Sequence, residues 1–192
     1  MTGRTHDLAA ISTLGIVVLA VPLPPIALST ALIAILANLI GGIAPDIDQP
    51  TAPFWRNLPI GGVIGRVFDK LLGGHRFLTH SIIGLALFGL GAHYLLVFLH
   101  PLIPHVDINI VWLAFMIGMI SHLVMDSFTK EGVPWLLPIP YKFGFPPLKK
   151  LRLTTGKIVE TLIVFPGIVL FDIYYCSIHY QELLLLAHHI GG

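Results

Sequence analysis

Histidine and aspartate recur in this chain beside apolar stretches, in spacings that suit metal binding. His122 and Asp126 stand four apart, so a helix turns an imidazole and a carboxylate toward one point. Both groups are ordinary ligands of zinc and similar metals. Asp46 and Asp48 follow Pro45 at the end of an apolar run, and the sequence leaves open which of the two faces inward. The run His75-Arg76-Phe77-Leu78-Thr79-His80-Ser81 adds two histidines and an arginine that can grip a phosphate or carboxylate with two donors. Its Thr79 and Ser81 can cap a helix or hold a ligand in place. His6 and Glu160 complete the set.

Each member has an ordinary reading when taken alone. His122 and Asp126 suit a structural hydrogen bond, and Asp46 and Asp48 suit solvation at a helix end. Arg76 suits snorkelling at an interface, His6 a surface position, and Glu160 the first turn of a helix. Their common position matters more, because ionisable groups at membrane depth are costly and usually functional.

The elements that must position them are helices. The chain has 192 residues, of which 55% are hydrophobic and 11% charged, whereas soluble domains carry roughly 25% charged residues. With a mean hydropathy of +0.86, the sequence is that of an all-α, polytopic membrane protein. Residues 1–192 read as a single domain with about five spans, near 8–21, 26–43, 81–99, 108–125 and 158–178. The first run is short for a span but shows no small-residue cleavage site before Pro22, Pro24 and Pro25, so it reads as retained. A kink is expected near Pro166. Ile60, Val63, Ile64, Val67, Phe68, Leu71 and Leu72 recur at helical spacing around Arg66, Asp69 and Lys70, the pattern of an amphipathic helix lying in the interface. Residues 127–157 hold five prolines and do not suit one long helix.

All eleven basic residues fall at the N-terminus, after the second span or after the fourth. In an up-down bundle these segments share one side, and the positive-inside rule makes it cytoplasmic. The N-terminus is then cytoplasmic and the C-terminal tail lies outside. His6, Asp46, His80, His122 and Asp126 gather on that side as candidate metal ligands. Asp48, His75, Arg76 and Glu160 join them as candidates for the chemistry. That is more than one tetrahedral zinc requires, which suggests more than one ion, or one ion with a carboxylate base. His100, His105, His179, His188 and His189 fall at the opposite face and His93 inside the third span, as interfacial or packing residues. The net charge of +1 predicts no nucleic-acid partner, and Cys176 alone excludes a cysteine-based zinc site.

The set His6, Pro45-Asp46-Ile47-Asp48, His75 to Ser81, Ser121-His122-Leu123-Val124-Met125-Asp126, Gly132-Val133-Pro134 with Trp135-Leu136-Leu137-Pro138, and Thr155-Gly156 with Glu160 resembles the YdjM-like family of bacterial membrane-bound metal-dependent hydrolases. The resemblance covers about residues 3–165. The order of its histidines and aspartates is also similar to that of zinc-dependent phospholipase C and the related single-strand nucleases. The chain departs from those enzymes in having no second His-x-x-x-Glu element after Asp126, a gap that Glu160 fills only in part. The resemblance implies a helical protein of the bacterial cytoplasmic (inner) membrane. It implies divalent metal, zinc first and manganese or magnesium otherwise, and hydrolysis of a phosphoester. Membrane lipids are the expected surroundings and a phospholipid a candidate substrate, with Tyr141, Lys142, Phe143, Lys149, Lys150 and Arg152 positioned for headgroups. The competing reading is a non-catalytic metal-binding membrane protein or a transporter. Transport sites usually lie near the bilayer midplane, whereas these residues fall at helix ends.

Overall fold

The computed structural model describes all residues except 22, 23, 53, 54, 56–58, 72–75, 140 and 192, and at 68, 189 and 191 the backbone alone. Its helices are α1 (Gly3–Ala20), α2 (Leu28–Ile43), α3 (Gly61–Leu71), α4 (Ile82–Leu99), α5 (Ile108–Ser127), α6 (Phe165–Ile178) and α7 (Tyr180–Gly191). A 3-10 turn, Ala44–Asp48, prolongs α2, and a wider turn, Glu160–Val164, leads into α6. That wider turn immediately precedes Pro166, where a missing N–H disturbs the helical ladder.

Among the described residues, four stretches are long and apolar enough to cross a bilayer: Leu28–Asp48, Ile82–Leu102, Ile108–Ser127 and Glu160–Ile178. At about 1.5 Å per residue they reach roughly 30 Å, the thickness of the hydrocarbon core. The fifth expected span, α1, has 18 residues but is not among them. Its first turns hold Arg4, His6 and Asp7, and these dilute its apolar character. The helix also starts earlier than its apolar run, because Thr5 and His6 are buried against the bundle.

α2 and α5 form the centre. A Cβ on Gly41 would run into the Phe115 carbonyl, and one on Gly118 into the Asn38 carbonyl. These two glycines let the backbones touch, the usual device of membrane helix pairs. Buried Asn38 adds a bond from Nδ2 to the Ala114 carbonyl, 3.0 Å. Ala34, Val111 and Ala114 fill the far part of the same seam. α1 packs on both helices, with Ala10 facing Gly42. α4 lies along α5, where Trp112 donates to the Gly89 carbonyl at 2.7 Å. α6 meets α1 through Ser12 and Asp172, 2.7 Å apart, and none of its residues is buried.

α3 leaves Val63, Val67 and Leu71 exposed on one side, as an interfacial helix does. Residues 127–157 form a strap without a long helix. It is pinned by the pairs Thr129–Leu153 and Val133–Phe143, and by the Ile82 N–H on the Trp135 carbonyl, 3.0 Å. The strap closes over the ends of α4 and α5 that carry the polar residues.

Candidate metal centre

The site is built where α2 ends. The last carbonyls of a helix have no partner within it, and Gly42 supplies one of them. The close α2–α5 contact brings His122 against that carbonyl, with Nδ1 to oxygen at 2.6 Å. A carbonyl only accepts, so Nδ1 carries the proton and Nε2 presents its lone pair. This Nε2 is buried and makes no hydrogen bond.

His80 is oriented by a second device. Ser81 takes the capping role, accepting from the Gly84 N–H at 3.0 Å. Thr79 is left for the site: its hydroxyl donates to Asp48 Oδ2 and lies 2.9 Å from His80 Nδ1. With that hydroxyl proton committed to Asp48, His80 Nδ1 is the donor to Thr79, and Nε2 again points away from it. Asp48, fully buried, also accepts the Arg76 N–H at 3.0 Å. That bond helps to hold Arg76 at φ 58°, a left-handed conformation that costs a non-glycine residue about 1–2 kcal/mol.

The two Nε2 atoms meet two carboxylates. Asp46 Oδ1 is 3.7 Å from His80 Nε2 and 3.6 Å from His122 Nε2. Asp126 Oδ2 is 3.6 Å from each of the same nitrogens. All four donor atoms lie within 4.8 Å of one another, and among the described residues this is the one group that could hold a metal ion. A tetrahedral zinc with bonds of about 2.0–2.1 Å requires ligand separations of roughly 3.3–3.4 Å, so the four residues fit an ion with small adjustments. Two imidazole nitrogens and two carboxylate oxygens facing one another suit a cation among them.

Asp126 is gripped from outside the group as well. Arg76 Nη2 lies 2.6 Å from Oδ2, and the Met1 amine contacts Oδ1. Arg76 also donates from Nη1 to Thr129 Oγ1 at 2.8 Å. His6 lies flat on His122, ring centroids 3.7 Å apart, with Nε2 3.3 Å from Asp126 Oδ1. A cavity of about 300 Å³ opens beside Asp46 and Arg76, lined also by Gln49, Thr51, Glu131 and Thr155.

Of the nine residues singled out from sequence, Asp46, His80, His122 and Asp126 form the four-donor group. His6 and Arg76 touch it through Asp126, and Asp48 supports it through Thr79. Glu160 stands apart. Its buried carboxylate accepts from Thr2 N and Oγ1, Thr5 Oγ1 and the Gly156 N–H, at 2.6–2.8 Å, with Gly156 in a left-handed turn at φ 71°. It ties the start of α1, and hence His6, to the bundle. His75 lies outside the described residues. Sequence reasoning passed over Gly42 and Thr129. The Gly41-Gly42 pair at a helix end and a threonine three residues after Asp126 were the available signals.

The sequence profile of the "YdjM inner membrane protein" family matches residues 1–185. The protein YvsG of Bacillus subtilis (strain 168), described as uncharacterized, is 29% identical over 177 residues, 91% of this chain and 94% of its own length. The inner membrane protein YdjM of Escherichia coli (strain K12) is 36% identical over 106 residues, 54% of this chain and 48% of its own. Its counterpart from Shigella flexneri shows the same figures. No solved structure matches, so the likeness to phospholipase C rests on residue order alone.

Proposed function

The chain belongs to the YdjM family of membrane proteins, and from that premise we propose that it is a membrane-bound, metal-dependent hydrolase of a phosphoester at the cytoplasmic face of the bacterial inner membrane. The observation that carries the reading is the ring of contacts, 3.6–3.7 Å, between two imidazole Nε2 atoms and two carboxylates.

Asp46, His80, His122 and Asp126 would hold the ion, and the mixed nitrogen and oxygen donors suit zinc, with manganese or magnesium as alternatives. A divalent cation polarises a phosphoryl oxygen and acidifies water toward neutral pH. The other residues do the positioning. Arg76 holds phosphate oxygens at the mouth of the cavity while balancing Asp126. Asp48, through Thr79, keeps His80 in the ligand tautomer. His6 faces the other oxygen of Asp126 and is the natural start of a second metal position. Glu160 fixes the segment that carries His6. His75 is assigned as ligand or proton donor from its place in the sequence. The basic residues at the start of α1, after α2 and after α5 set the cytoplasmic orientation.

One observation favours a second reading. Four protein donors are enough to close a zinc tetrahedron, the mark of a structural site, whereas catalytic sites keep a position open. The adjoining polar cavity favours the hydrolase. Elemental analysis of the purified protein, beside His122→Ala and Asp126→Ala, tests both readings at once. Near-stoichiometric metal lost in both variants, with metal-dependent cleavage of bis(p-nitrophenyl) phosphate by the wild type, supports the hydrolase. Bound metal without cleavage of this or phospholipid substrates supports the closed site. Absence of metal after lipid reconstitution rejects both.

A further inference from the structure

The turn that carries Asp46 has an apolar face as well as a polar one. In a 3-10 turn, side chains three apart eclipse. Pro45 and Asp48 are buried in the protein. Asp46 and Gln49 line the polar cavity, while Ala44 and Ile47 line a different one.

That second cavity is a groove of about 480 Å³ between α2 and α4, with Phe115 of α5 also on its wall. On α4 its lining recurs at helical spacing through Gly84, Leu87, Phe88, Gly91 and Leu95, and no ionisable side chain among the described residues lines it. From Gly84 to Leu95 the helix rises roughly 16 Å, about half of the ~30 Å hydrocarbon core. The groove is therefore about one leaflet deep. An apolar groove of that depth matches the length of one acyl chain within its leaflet. At its polar end it reaches Ile47 and Leu78, neighbours in sequence of Asp46, Asp48 and Thr79. Asp46 lies on this turn and Arg76 is tied to it through Asp48, so the hydrocarbon track ends beside a guanidinium that can meet a phosphate oxygen.

We propose that this groove seats an acyl chain of an anionic phospholipid whose phosphate head lies at the Asp46, Arg76 and Asp126 end. The lipid is the substrate if the hydrolase reading holds; the seating of its acyl chain does not depend on that reading. A soluble phosphoester would need no leaflet-long apolar track beside the polar cavity.

The test uses the full-length protein in phosphatidylcholine vesicles doped with phosphatidylglycerol bearing a diazirine midway along one acyl chain. Photoadducts should concentrate on residues 40–47 and 84–95, about tenfold above Phe165–Ile178, in which no residue is buried. A Cβ on Gly91 meets nothing within 4 Å, nor does one on Gly15 of α1, so both positions accept bulk. Gly91→Phe should abolish the groove adducts and Gly15→Phe should not. Uniform labelling of all lipid-facing helices, or groove labelling that Gly91→Phe leaves intact, overturns the proposal. The wild-type distribution decides alone if Gly91→Phe fails to fold. Metal content of the same samples is read separately: groove labelling without bound metal supports the lipid site while removing the hydrolase reading.

Discussion

The two ends of this bundle carry the same residue types and use them differently. At one end Asp46, His80, His122 and Asp126 converge within 4.8 Å. At the other, His100, His105 and Asp107 line a larger cavity, about 500 Å³ against about 300 Å³, yet form no ligand group among the described residues. The difference lies in what each carboxylate is already doing. Asp107 is spent on the start of α5, accepting from the N–H groups of Asn109 and Ile110 at 2.9 and 3.3 Å. His100 and His105 are exposed. Asp126 is buried near the end of the same helix, turned inward by its i,i+4 relation to His122. The imidazoles of His122 and His80 have Nδ1 engaged, by Gly42 and Thr79. Composition puts histidines and aspartates at both ends; tautomer control and burial make one of them a candidate site.

The comparison breaks most readily at Asp126. Asp126→Ala leaves Arg76, itself 5% exposed, without its closest anion and removes one donor of four. Stripping one partner from a buried charge pair costs about 3–5 kcal/mol. Denaturant unfolding in detergent should show a loss of that size, and bound metal should fall to background. Asp126→Ala with wild-type stability and metal content would remove the distinction between the ends.

A smaller effect is expected at Thr79, which touches no metal position. Thr79→Val keeps the shape and deletes the hydroxyl between Asp48 and His80. Loss of such an outer partner typically costs about 10- to 100-fold in metal affinity. A chelator-competition titration should register that loss, beside a drop in stability of about 1–3 kcal/mol from the buried groups left unpaired. Thr79→Ser should restore affinity, because it returns the hydroxyl. Unchanged affinity in Thr79→Val would mean that His80 is oriented by something else.

Much of the fold could be read from local pattern. The apolar runs that end near Ile43, Leu99 and Ile178 appear as helices ending at those residues, and the periodic apolar positions from Ile60 appear as α3. His122 and Asp126 were legible because their relation is fixed by one helix. What was not legible depended on contacts between elements. The start of α1 lies five residues before its apolar run because His6 stacks on His122, a contact absent from any window around residue 6. The choice between Asp46 and Asp48 turns on a single 3-10 turn, in which the two point to different sides rather than the same one. Thr79 and Ser81 look alike as capping residues, and only the path of the chain assigns the cap to Ser81. Glu160 reads as a free carboxylate in a first turn, yet three of its four donors come from Thr2 and Thr5, more than 150 positions away.

The smallest predicted effect sharpens the contrast from the other end. Asp107→Ala removes an N-cap, for which about 1 kcal/mol of stability is the usual cost. It should lower the unfolding midpoint slightly and leave metal stoichiometry at the wild-type value. His105→Ala, at an exposed position, should change stability by less than about 0.5 kcal/mol and metal content not at all. Together the two variants isolate burial from residue type: if either lost metal in step with Asp126→Ala, the far cavity would have to be counted as a ligand site, and convergence of donors would no longer separate the ends. If both keep it, His100, His105 and Asp107 define the background against which the four converging donors are measured.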